Sequence, residues 1–160
     1  MKPRRTRVVE LRDLPPADPN RASVIPILCG RAVYAIYLVA SGGESDDGPY
    51  AVVAFDGCRS FLGGGPNDEA LHRHPLFEHG VMHYAIQEIV DSPWVEERAR
   101  LLHKDGDPGF FGDGQRHFLF ALKEDSFECM ANGYSLLGVY PSYGEARSAV
   151  LARIADGGRG

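Results

Sequence analysis

Two dipeptides, Asp56-Gly57 and Asn132-Gly133, constrain the fold of this chain more than any other feature. Each is flanked by short apolar runs, 51–55 and 58–62 around the first, 127–131 and 134–140 around the second. Asp-Gly or Asn-Gly between such runs favours a two-residue hairpin turn, because glycine adopts positive φ at no steric cost. The pattern therefore predicts antiparallel hairpins. Residues 32–40 are apolar throughout and rich in β-formers, which fits a central strand buried on both faces. Residues 8–11 read as a short edge strand, and 116–122 alternate with Phe118, Phe120 and Leu122 on one face. Residues 82–90 fit either period and are assigned to a strand, because a better helix begins directly after them.

Helices are marked by their caps. Asn67 is a good N-cap, with Asp68 and Glu69 in the first turn, where the helix dipole favours negative charge. Pro75 ends that short element near Arg73, since the residue before proline avoids the α region. Ser92 caps a second helix with Pro93 at its first position. Its expected buried stripe is Trp94, Val95, Ala99, Leu101 and Leu102. Ser142 and Glu145 form a capping box that opens a last helix running to about Ala155. The expected fold is α+β, a mainly antiparallel sheet of hairpins with two or three helices packed on one face.

A length of 160 residues suits one domain, able to bury roughly 70% of its unfolded surface without a disulfide or metal. Residues 1–23 read as an extended, basic, proline-rich arm, 24–156 as the domain and 157–160 as a flexible tail. The segments 42–49 and 105–114 read as loops, the second a connection or lid. The net charge of −5 argues against a general polyanion binder. The arm carries six basic residues against three acids and the remainder stands at −8, so nucleic acid is an unexpected partner. Cys29, Cys58 and Cys129 are odd in number and lack C-x-x-C spacing, which suits reduced thiols in a cytoplasm. No export signal is recognisable, and the longest apolar run, nine residues, falls far short of the roughly 20 that span a bilayer. A soluble protein with no membrane partner is expected.

Chemistry concentrates in 67–83, where four of the six histidines (His72, His74, His79, His83) accompany Asp68, Glu69 and Glu78. Imidazoles with carboxylates suit a divalent metal, for which His72 and His74 are the candidate ligands. There is no H-E-x-x-H, and solvated histidines on a polar loop explain the same residues. No cofactor is otherwise indicated. The acids after Asn67 would repel phosphate and favour a cation, an amine or a guanidinium, so Asn67, Asp68 and Glu69 are candidate ligand-binding residues, with Arg59 and His117. Cys58 beside Arg59 is a candidate nucleophile, with His72 or His117 as base. Glu128 shares a strand face with Ser126 and Met130. It lies either toward solvent or in a pocket, where it would pair with Arg59, His72 or His117 as a general base. The candidate catalytic residues are thus Glu128, His72 and Cys58.

The segments F-D-G-C (55–58), N-D-E-A-L-H-R-H-P-L (67–76) and S-F-E-C (126–129) together resemble an uncharacterised bacterial protein family over residues 50–135 or so. The resemblance implies no activity and carries over no functional residue. The expected function is a small intracellular binding or accessory domain for a small-molecule or protein ligand. The alternative is a hydrolase-like enzyme with a His/Glu site, with or without a metal, around Glu69, His72, His74 and Glu128. Oligomeric state is not legible.

Overall fold

The strands do not form a single sheet. A computed structural model describes residues 5–41, 48–103 and 114–157. The loop segments 42–47 and 104–113, most of the tail and the first four residues lie outside the described residues. Along the chain run β1 (Arg7–Glu10), β2 (Ile25–Cys29), β3 (Ala32–Leu38), β4 (Tyr50–Asp56), β5 (Ser60–Gly63) and 3₁₀ helices at Asp68–Arg73 and Phe77–His79. There follow β6 (Ala85–Val90), α1 (Pro93–His103), β7 (Arg116–Ala121), β8 (Ser126–Ala131), β9 (Gly133–Tyr140) and α2 (Tyr143–Ala155). One sheet has the order β1-β6-β7-β8-β5 and the other β2-β3-β4-β9, with every pairing antiparallel. The α+β class and the antiparallel pairing expected from the sequence hold.

The two glycine dipeptides are corners, not hairpins. β4 pairs with β3 and β9, whereas β5 pairs with β8. At Asp56-Gly57 the chain leaves one sheet for the other, and at Asn132-Gly133 it returns. The corners lie side by side: Asn132 N–H donates to the Asp56 carbonyl at 2.8 Å, and Asp56 pairs with Gly133. Gly57 has φ +62, as the turn reading required, and a Cβ there would collide with the Asn132 side chain. Strands that switch sheets through such bends are a known way to close two packed sheets. Positive φ reports a bend. Which strand pairs beyond it depends on burial.

Burial follows the pleat. In β7, Phe118 and Phe120 join the core between the sheets, while Leu119 and Ala121 face outward into a second cluster. In β4, Ala51, Val53 and Phe55 face inward and Val52 and Ala54 outward. Phe55 bridges the sheets, 5.1 Å from the Phe118 ring and 5.8 Å from Phe120, centroid to centroid. Each outer face also needs cover. Ala146 and Val150 of α2 cover the four-stranded sheet, while Leu71, Leu76 and Val81 cover Ile89, Leu119 and Ala121 of the five-stranded one. Helical segments therefore lie on both outer faces rather than on one, because both sheets are apolar on both sides.

Residues 5–24 are built into the domain. β1 is an edge strand on β6, and Leu11, Leu14, Ala17 and Ala22 are core residues. β6 begins only at Ala85, because Tyr84 has φ +56 and the buried Gln87 side chain satisfies both backbone groups of Met82, at 2.7 and 3.0 Å. In α1 the expected stripe is shallow: Trp94, Val95 and Ala99 are half-buried, and Leu101 is exposed. In the last helix Ser142 Oγ accepts from Glu145 N–H as expected, while Glu145 Oε2 accepts from the Ser142 hydroxyl rather than from the backbone N–H of a full capping box.

Candidate functional site

Asn67 Oδ1 accepts from Ala70 N–H and starts the first 3₁₀ helix, which ends at Arg73 just before the extended His74. Leu71 and Leu76 are buried on either side of His74 and pin the segment to the sheet. That anchoring drives the His74 side chain inward, to 4% exposure. Leu76 N–H donates to His74 Nδ1 at 3.1 Å, so Nδ1 holds a lone pair and the ring proton sits on Nε2. His74 Nε2–H then donates to Glu128 Oε1 at 2.8 Å.

The other half of the cluster comes from β7 and α1. His117 projects from the outer face of β7, in the same row as Leu119, and Glu128 lies opposite Leu119 on β8. His117 Nε2 donates to Glu128 Oε2 at 2.6 Å. Its Nδ1 lies 2.8 Å from Ser92 Oγ, which also accepts a cap bond from Val95 N–H at 3.4 Å. In the Nε2–H tautomer that donates to Glu128, His117 Nδ1 accepts from the Ser92 hydroxyl. Trp94 in the first turn of α1 stands edge-on to the His117 ring, with centroids 5.1 Å apart.

Glu128 is thus held between two imidazole donors. Burial alone would raise its pKa, but the hydrogen bonds from His117 and then His74 outweigh that and bring it to about 2. These bonds favour the ionised carboxylate and fix it against His117, one of the partners that the sequence offered it.

Over this cluster lies a cleft of about 270 Å³. Leu62, His117 and Glu128 of the sheet form its floor, Pro75 and Leu76 one side, and Pro93, Trp94 and Glu97 of α1 the other. Ser92 and His117 also border a second cleft of about 280 Å³, which runs along β6 past the Arg116–Glu88 ion pair.

The remaining candidates lie elsewhere. His72 is exposed, with Nδ1 at 3.1 Å from the Glu69 carbonyl, and does not approach His74's partner. Glu69 is exposed. Asp68 Oδ2 accepts from Lys123 Nζ at 2.8 Å and Tyr84 Oη at 2.7 Å, and the Lys123 bond chiefly lowers its pKa. Asn67 is the cap. Cys58 lies in the core between the sheets, where a hydrogen bond with Cys129 lowers its pKa and burial raises that of Cys129. His117 faces the opposite side of its sheet and His72 faces solvent, so neither imidazole expected as base joins Cys58. Arg59 follows Cys58, and its N–H donates to the Met130 carbonyl at 2.9 Å. Among the described residues no group of three or more His, Cys, Asp or Glu is arranged to hold a metal ion. The candidate ligands His72 and His74 diverge, and both Nε2–H groups of the buried histidines are spent on Glu128. Sequence reasoning missed Ser92 and Trp94, assigned only to a cap and a core stripe, together with Leu62 and Glu97.

Fold and site define a two-sheet antiparallel α+β domain with a buried imidazole–carboxylate–imidazole cluster beneath a cleft. Comparison with protein-family models, curated proteins and solved structures gave no match, in keeping with the resemblance to an uncharacterised family.

Proposed function

We propose that this chain is a small-molecule binding domain whose site is the cleft over Glu128. One observation carries the reading: an ionised carboxylate, clamped by His74 and His117, lies on the floor of a concave space whose sides are apolar except for Glu97. Ligand sites combine apolar lining with a few fixed polar groups in this way. The cleft lies just below the roughly 300–1,000 Å³ usual for such sites, which favours a small ligand over a protein segment. Three free thiols favour a cytoplasmic location. The test is thermal unfolding of the full chain against a panel of small organic compounds. A true ligand at 100 times its Kd stabilises by about 2.7 kcal/mol, and Trp94→Ala should abolish the shift. A panel without effect on either protein would sink the reading.

A second reading is hydrolytic. Ser92 Oγ, His117 and Glu128 stand in the order hydroxyl, imidazole, carboxylate, which supports a nucleophile, its base and an orienting anion. It replaces Glu69 and His72, which are exposed, by Ser92 and His117. Covalent labelling of Ser92 by a fluorophosphonate, lost in His117→Ala, is its expected signature. An unlabelled Ser92 in the folded protein excludes it.

A further inference from the structure

We infer that the cleft over Glu128 takes a small organic cation, a primary or secondary ammonium group carrying a compact apolar or aromatic body. The inference rests on the small-molecule reading above and adds the ligand's charge and shape.

Charge is the first argument. The described residues lining the cleft include two carboxylates, Glu128 and Glu97, and no Lys or Arg. An anionic ligand would face these two carboxylates with no lysine or arginine among the described lining residues to receive it.

Hydrogen-bond capacity is the second argument, and it is independent of net charge. Each buried imidazole turns its Nε2–H onto Glu128, and each Nδ1 is engaged by Leu76 N–H or Ser92 Oγ. The floor therefore has no spare imidazole donor for a carboxylate or phosphate. Glu128, by contrast, has used one acceptor direction on each oxygen, and an ionised carboxylate offers about four. The open requirement is for donors, which an ammonium group supplies in twos or threes.

The sides determine the rest of the ligand. Trp94 provides the aromatic ring that binds cations best. Leu62, Pro75, Leu76 and Pro93 provide apolar surface for a body that leaves water on binding. A volume of about 270 Å³ suits a single ring or short alkyl chain.

Trp94 is the chain's single tryptophan, so intrinsic fluorescence reports on the cleft without labelling. The full chain is titrated at neutral pH with benzylamine, benzyl alcohol and benzoate, matched in size and differing in charge. Benzylamine should perturb Trp94 and bind at least about tenfold more tightly than benzyl alcohol, with benzoate weaker still. Glu97→Gln, on the exposed face of α1, leaves the buried cluster intact and should weaken benzylamine without changing benzyl alcohol. Benzyl alcohol or benzoate binding as tightly as benzylamine overturns the cation while leaving the small-molecule reading in place. If benzylamine fails to bind, the cation is likewise overturned. The small-molecule reading itself falls only if, in addition, no compound of the wider panel stabilises the protein.

Discussion

His117 Nε2 lies 2.6 Å from Glu128 Oε2, a contact between neighbouring strands of one sheet, while the other oxygen of the same carboxylate is bound from outside the sheet by His74. The sheet and the segment covering it therefore meet at one buried anion. Stability and site chemistry are coupled there.

Replacing the anion tests that coupling. In Glu128→Gln the amide keeps one acceptor oxygen but turns an NH₂ toward the other imidazole N–H. One buried donor is left unsatisfied and the charge-assisted bonds are lost. We expect about 2–4 kcal/mol of destabilisation, read from urea unfolding at neutral pH. A loss below about 1 kcal/mol would mean the cluster is not held together as described.

The same carboxylate predicts an acid limb. Its folded pKa, about 2, lies below the ordinary 4.5, so between those values the unfolded state binds the proton that the folded state refuses. The stabilisation is fully present above pH 4.5 and is lost progressively as pH falls toward 2. It amounts to roughly 3 kcal/mol. The stability difference between the wild type and Glu128→Gln should shrink across that window. A gap independent of pH from 5 to 2.5 would contradict the assignment.

Two nearby histidines should behave oppositely. His72 is exposed and bonded only locally, so His72→Ala should change stability by no more than about 0.5 kcal/mol. His74→Ala removes a buried ring and strands both the Leu76 N–H and one Glu128 oxygen. A cost of about 2–3 kcal/mol is expected. Equal effects in calorimetry would refute the placement of one or the other.

The sheet corner gives a comparison of glycines. Gly30 and Gly57 have similar φ, +58 and +62, but a Cβ at Gly30 meets open space while one at Gly57 meets Asn132. Both alanine variants carry the left-handed backbone penalty, on the order of 1 kcal/mol. Gly57→Ala should cost about 1 kcal/mol more, because Asn132 must move and the adjoining corner with it. Equal destabilisation would show that the corners are loosely packed.

What could be read in advance was local. The Asn67 cap, the stop before Pro75, the Ser92 cap and the Ser142–Glu145 box each join groups within a few residues, so their partners are printed beside them in the chain. The alternation at Phe118 and Phe120 and the depth of 32–38 follow from side-chain period alone. Glu128 illustrates the boundary. Its face, shared with Ser126 and Met130, was legible, but whether that face met solvent or a pocket was not.

Tertiary structure decided the rest, because the decisive contacts join distant residues. His74 is 54 positions from Glu128 and Ser92 is 25 from His117. Asp56-Gly57 and Asn132-Gly133 each mark a bend, yet the positive φ at Gly57 serves a hairpin or a corner equally, and Gly133 adopts none. Only the competition to bury Phe55, Phe118 and Phe120 between two sheets selects the corner. The sequence by itself determined the elements, their caps and the alternation of their faces. Packing two sheets face to face determined which outer face received the 67–76 segment, and so brought His74, not His72, onto Glu128.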